Sequence, residues 1–174
     1  VLTCANIRKE KKHGRQVDAM KLLKDRGVAF KWVNIGSTAD TTRVNELRSR
    51  IKECGLEKDF LLLGPKENPY PYIKSADIVA VLSDYESWSM VITEAKILGT
   101  PIIATKTSGA LEQIEDGKTG VLTDFTAKDI ADKLEHLILN SAFRNEIRKN
   151  IVGFDNTDDI LDDFYRLLNG KQEE

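Results

Sequence analysis

The sequence predicts an α/β domain, a doubly wound, mainly parallel sheet with helices on both faces. Three observations carry that reading. Apolar runs of strand length alternate with amphipathic runs of helical length almost from end to end. Two of the strand-like runs, "DIVAVLS" and "PIIAT", are continuously apolar, as suits strands covered on both faces. Glycines close several of the runs, at Gly36, Gly55 and Gly64. Alternating strands and helices imply right-handed crossovers. Ligands of such sheets bind beyond the carboxyl ends of the strands, near the point where strand order reverses.

Taken in order, "VLTCAN" is a strand, and the polar "IRKEKKHG" loop leads into a helix from about Arg15 to Asp25 with Val17, Met20, Leu22 and Leu23 as its apolar side. "VAFKWVNIG" is the second strand. Asp40 is an N-cap candidate for a helix carrying Val44, Leu47 and Ile51 at helical spacing, with Gly55 as its stop. "DFLLLG" is a short third strand. The proline-rich "PKENPYPYIKSA" runs into a short helix, and "DIVAVLS" is the fourth strand. A helix is expected to begin near Ser87 or Trp88. After it come "PIIAT", the loop "KTSG", a short helix "ALEQIED" and the glycine-flanked turn into "GVLTD". "TAKDIADKLEHLIL", "SAFRNEIRKNI" and "TDDILDDFYRLL" read as three closing helices.

Composition narrows the function classes. The 174 residues suit one domain, with 31% charged and 41% hydrophobic residues. Lys and Arg number 26 against 28 acidic residues, and a net charge of -2 gives no electrostatic reason to expect a nucleic-acid partner. No apolar run approaches the length that spans a bilayer. Cys4 and Cys54 lack disulfide-framework or metal-ligand spacing, so a reducing, cytoplasmic setting is expected. The chain opens with Val1 inside a strand, and the expectation is a piece of a longer protein.

The helix after "DIVAVLS" poses the sharpest question. At spacings of three and four, Met90, Glu94 and Ile97 form one stripe with Val91, Ala95 and Leu98 beside it, which sets a carboxylate among apolar residues. Lys96 falls on another face. An unpaired buried charge is costly, so Glu94 needs a partner. Two readings stand. Glu86 complements a positive helix end while Glu94 caps a neighbouring backbone segment, or both carboxylates point into a polar cleft where each oxygen accepts a ligand hydroxyl.

Other constellations are weaker. Asp158, Asp159, Asp162 and Asp163 interleave with Ile160, Leu161 and Phe164 and read as a solvated helix face. His13 and His136 have no companions placed as a metal set. No Gly-x-Ser-x-Gly elbow or Gly-x-x-x-x-Gly-Lys loop occurs.

Glu86, seven residues, Glu94, then "AKILGTPIIAT", then "SGALEQIEDGKTGVL" closely resembles the carboxy-terminal, donor-binding domain of retaining glycosyltransferases of the GT-B fold, the large family 4, or group 1. The resemblance covers nearly the whole chain. It implies one half of a GT-B fold, Rossmann-like, with residues 1–174 as the nucleotide-sugar domain and an amino-terminal acceptor domain elsewhere in the parent. In the family the glutamate matching Glu94 binds ribose hydroxyls, and the one matching Glu86 lies by the donor sugar and is implied as the catalytic residue. Backbone N–H groups following it, over Ser87, Trp88, Ser89, Met90 and Val91, reach sugar and phosphate, where helix-start amides favour a diphosphate.

The chain departs from the family twice. Ser87, Trp88 and Ser89 replace a usual Gly-Phe-Gly, which restricts backbone approach and φ choice. At the first loop Asn6 stands where many members have an arginine, while Lys11 matches the lysine that neutralises the diphosphate. Arg8 or Lys12 is then required to supply the missing charge. Gly36 with Ser37, and Gly64 with Pro65 and Lys66, are expected to wrap base and phosphates. Gly109 and Glu112 match a structural Gly-x-x-Glu.

The resemblance implies transfer from a UDP- or GDP-sugar to a glycan or lipid-linked acceptor with retention, without a bound metal or cofactor. It also implies a cytoplasmic parent, with peripheral association at the inner face of the membrane as an open option. The competing readings are a GT-B epimerase or glycogen-synthase-like enzyme, and a non-catalytic α/β interaction module.

Overall fold

A computed structural model of the chain describes residues 1–151. The predicted helix over 157–168, with its four aspartates, lies outside the described residues. Six strands form one parallel sheet: β1 (Leu2–Cys4), β2 (Trp32–Ile35), β3 (Phe60–Leu62), β4 (Val79–Val81), β5 (Ile102–Thr105) and β6 (Val121–Thr123). Their order is β3-β2-β1-β4-β5-β6. The chain therefore winds outward from β1 in one direction, crosses back, and winds outward from β4 in the other. The reversal opens a crevice between β1 and β4, where Leu2 pairs Val79 and the strands then diverge.

Helices α1 (His13–Asp25), α2 (Thr41–Glu53), α6 (Ala127–Leu139) and α7 (Ser141–Ile151) cover one face. Helices α3 (Tyr70–Ser75), α4 (Met90–Ile97) and α5 (Ser108–Gln113) cover the other. The two-residue period of a strand sorts side chains between these cores. In and beside β4, Ile78, Ala80 and Leu82 join the first core while Val79 and Val81 join the second. A strand covered on both faces must be apolar throughout, which is the physical origin of the unbroken "IVAVL".

Local signals set the ends of the elements. Asp40 caps α2 by accepting from the Arg43 amide at 3.1 Å, as its sequence position predicts, and Gly55 follows at a positive φ of 64°. Thr107 and Thr126 cap α5 and α6 in the same way. Helix α1 begins at His13, two residues before the sequence places it, after a 3-10 turn at Lys9–Lys11 within the predicted loop. Its apolar side includes Ala19, whereas Leu22 is only half-buried. The second strand begins only at Trp32, which stacks on Phe60 at 5.7 Å between centroids.

The expectation for α4 needs correction. The helix starts at Met90, not Ser87 or Trp88, and its core face is Ile92 and Ala95. Met90 and Ile97 are 62% and 57% exposed, and Glu94 shares their outer stripe. Helical spacing identified the stripe, but two neighbouring helix faces were both apolar enough to be the buried one. Packing beneath α3 and against β4 and β5 decided between them. Lys96 is buried, and its ammonium donates to the Gln113 carbonyl.

Candidate donor site at the strand-order reversal

Three loops meet at the crevice: residues 5–12 after β1, 83–89 after β4, and 106–107 after β5. Beneath the first loop a buried polar chain fixes its position. The Trp32 indole donates to Thr3 Oγ1 at 3.0 Å, Thr3 donates to Gln16 Oε1 at 3.1 Å, and Gln16 Nε2 donates to the Lys11 carbonyl at 3.2 Å. Buried polar groups persist only when so satisfied, and this chain sets Lys11 at the lip of the crevice.

Lys11 there forms an ion pair with Glu86. The same carboxylate oxygen, Oε1, accepts from the buried Ser83 hydroxyl at 3.0 Å. The Glu86 carbonyl accepts from the Gly109 amide at 2.9 Å and the Ser108 hydroxyl at 3.1 Å. Glu86 is thus held from both its backbone and its side chain.

Asp84 takes the other basic residues. Lys12 lies 2.9 Å from its carboxylate and Arg15 2.7 Å, and these partners hold its carboxyl below the ordinary range despite the opposing effect of burial. Arg15 also donates to the Leu82 carbonyl at 2.8 Å and to that of Phe125 at 3.0 Å. Lys12 and Arg15 therefore brace the loop after β4.

A cavity of about 210 Å³ opens between the strand ends, lined by Cys4, Lys11, Ser83, Glu86, Ser89 and Val91 among others. A larger concavity of about 860 Å³ lies outside it, between the start of α1 and the outer side of α2. Its Arg43 and Arg50 are paired with Asp40 and Asp18. The smaller cavity is the one that lies at the strand-order reversal and holds Glu86.

Glu94 stands one turn along α4 from this cavity. Among the described residues its carboxylate has no hydrogen-bond or ion-pair partner, and partial burial raises its pKa. Its charge reaches the cavity wall, since Cys4 is pushed up to about 12 by burial first and by Glu94 second. A half-buried acceptor with both oxygens free is the arrangement that hydroxyl recognition requires.

The remaining predicted residues divide. Asn6 is exposed, and its Oδ1 accepts from the Ser37 amide at 2.7 Å, tying the first two loops together. Gly36 donates to the Gly64 carbonyl at 3.0 Å, and a Cβ on Gly36 would fall 2.2 Å from the Ala5 carbonyl oxygen. Lys66 stands 5.8 Å over the Tyr72 ring. Trp88 lines the cavity at 55% exposure. The glycine replacements strain nothing, because Ser89 is extended and Lys12 is the one non-glycine residue at positive φ among the described residues. Sequence reasoning missed Gln16, Cys4 and Gln113. A buried glutamine inside an otherwise apolar pattern, as Gln113 is beside Ile114, was the available signal. Glu112 is exposed, while Gly109 does the structural work of that motif.

Residues 1–152 match the family described as glycosyl transferases group 1. The chain belongs to that family. It is 36% identical over 111 residues to a D-inositol 3-phosphate glycosyltransferase of Corynebacterium jeikeium, covering 62% of this chain and 26% of that protein. Its fold superposes on the Anabaena protein HepE, solved in complex with UDP, with a TM-score of 0.84 at 22% identity over 97% of this chain and 48% of that one. It also superposes on the C-terminal domain of the group 1 glycosyl transferase LpcC from Francisella tularensis, with a TM-score of 0.77 at 29% identity over 87% and 82% of the two chains. The group 1 domain spans under half the length of the first two proteins.

Proposed function

We propose that this group 1 domain is the donor half of a GT-B glycosyltransferase and binds a nucleotide-diphosphate sugar in the β1/β4 crevice. The observation that carries this is Glu94, a half-buried carboxylate without a partner among the described residues, beside a cavity whose lip holds the Lys11 and Glu86 pair. Ribose hydroxyls fit the first, and a diphosphate fits Lys11 together with the first amides of α4. The complex of HepE with UDP supports the same assignment by likeness of fold.

In this reading Lys11 exchanges Glu86 for the donor diphosphate. Glu86, kept in place by Ser83 and by its backbone bonds to Ser108 and Gly109, then faces the donor sugar as the catalytic residue. Departure of the nucleoside diphosphate is favoured by Lys11 and the helix-start amides, which stabilise the developing negative charge without a metal. Transfer proceeds with retention to a glycan or lipid-linked acceptor held by the other half of a cytoplasmic parent, which can work at the inner face of the membrane. Among the described residues no helix is long and apolar enough to cross a membrane.

Thermal shift of the purified chain against UDP, GDP, ADP and their sugars tests the reading. At a hundredfold excess over Kd, binding adds about 2.7 kcal/mol to stability. One nucleotide should raise Tm, and Glu94→Ala should weaken its binding at least tenfold, as loss of charge-assisted hydrogen bonds worth about 1.5–3 kcal/mol implies. A full shift retained in Glu94→Ala would remove Glu94 from the site, and no shift with any nucleotide would favour an interaction module.

A further inference from the structure

The loop between β4 and α4 is seated on α5 at three points. Its Glu86 carbonyl receives the Ser108 hydroxyl and the Gly109 amide. At Ser87 the approach is so close that a Cβ on Gly109 would fall 2.7 Å from the Ser87 carbonyl carbon and oxygen. The third point is Ser89, the residue immediately before α4, which is 4% exposed. Its amide donates to Gln113 Oε1 at 2.9 Å, and its carbonyl accepts from Gln113 Nε2 at 3.0 Å. Nε2 reaches Thr93 Oγ1 as well, at 3.0 Å.

A side-chain amide has an acceptor oxygen and a two-proton donor nitrogen, and here both atoms are engaged by one residue and the turn above it. Gln113 thereby pairs with Ser89 as a neighbouring strand would. The consequence falls on the helix start. The Ser89 carbonyl takes the Ile92 and Thr93 amides at 3.1 and 3.3 Å, so α4 begins at Met90. The Met90 and Val91 amides then donate to no group among the described residues, and both residues line the cavity.

We propose that Gln113 is a positioning residue for anion recognition: by pairing both backbone polar groups of Ser89 it fixes the register of α4 and aims the Met90 and Val91 amides at the donor diphosphate. This rests on the nucleotide-diphosphate reading above. Gln113 touches no ligand itself and acts through Ser89. It also performs the task that a Gly-x-Gly segment leaves to backbone freedom. With Ser87 and Ser89 in place of glycines, an external template holds the loop.

The test compares uridine with UDP, and the matching pairs for GDP and ADP, by titration calorimetry and ligand-observed NMR on the native chain, Gln113→Leu and Gln113→Glu. Native chain should bind one diphosphate more tightly than its nucleoside. In Gln113→Leu that diphosphate advantage should fall at least tenfold with nucleoside affinity unchanged. Gln113→Glu should behave likewise at pH 8, where a carboxylate cannot donate to the Ser89 carbonyl, and recover as pH falls and a protonated carboxyl regains both a donor and an acceptor. A void that merely loosens the fold predicts no such recovery. If Gln113→Leu does not fold, the pH profile of Gln113→Glu decides. An unchanged diphosphate advantage in a folded Gln113→Leu, or a flat profile in Gln113→Glu, overturns the inference while leaving the donor site standing. Absence of any nucleotide binding by the native chain overturns the proposed function and this inference with it.

Discussion

The loop after β4 and the loops after β2 and β3 reach the same edge of the sheet but are held by different means. Residues 83–89 are fixed by side chains from four elements: Lys11 and Arg15 from one side, Gln113 from the other, and Thr105 beneath, whose hydroxyl donates to the Ser83 carbonyl. The turns at Gly36 and Gly64 are fixed to each other and to β1 by backbone bonds, with Asn6 adding the side-chain link to Ser37. Side-chain bracing leaves functional groups at defined positions around a cavity. Backbone bracing closes a turn and leaves its side chains exposed. The contrast teaches that side chains from distant parts of the chain converge on the β4 loop, while the β2 and β3 turns are held chiefly by the backbone.

The strongest way to break the contrast is to attack the backbone-held side where it has no slack. Gly36→Ala places a Cβ 2.2 Å from the Ala5 oxygen, so β1 and β2 must separate at their ends. A loss of about 3 kcal/mol is expected, at the upper end for overpacking, read as a fall in urea midpoint. Gly64→Ala meets no atom within 4 Å but keeps a φ of 71°, and should cost only about 1 kcal/mol. Equal effects would show that space at Gly36 is not what requires glycine.

Acid sharpens the contrast at its hinge. His13, 4% exposed, sets its Nε2 3.0 Å from the Asn34 amide and joins α1 to β2. Burial first and Lys11 second hold its pKa down to about 4 from 6.5. Between those values the unfolded chain binds the proton more readily, so stability falls as pH drops through the window and is fully kept above pH 6.5. The full loss is about 3 kcal/mol. Urea melts at pH 7 and pH 5 should differ, and His13→Gln should remove most of the difference. A difference that survives the substitution would place the acid sensitivity elsewhere.

The smallest effect is expected at Asn6. Asn6→Ala deletes one exposed hydrogen bond and should cost about 0.5–1 kcal/mol, with affinity for whichever nucleotide raises the Tm of the native chain kept within twofold. A tenfold loss of that affinity would mean that Asn6 meets the nucleotide directly.

Much of this was legible from residues alone. The Asp40 cap, the Gly55 stop and the double-sided strand "IVAVL" are local signals, and each appears where the chain placed it. The motif order from Glu86 through Gly109 pointed to the family. The side of α4 that is buried was not legible, because "MVITEAKIL" offers apolar residues on two adjacent faces. Nor was the hydrogen bond from the Ser37 amide to Asn6, which joins two loops 31 residues apart.

By itself the sequence determined the alternation of elements, their caps and the family, since these depend on residues within one or two turns of each other. Tertiary structure decided which charges pair across the sheet edge. Lys11 and Glu86 are 75 residues apart, Arg15 and Asp84 are 69 apart, and Ser89 and Gln113 are 24 apart. Such pairings exist only after β1, β4 and β5 lie side by side. Whether a carboxylate is paired, as Asp84 is, or without a partner among the described residues, as Glu94 is, follows from that adjacency and from the exclusion of water that comes with it.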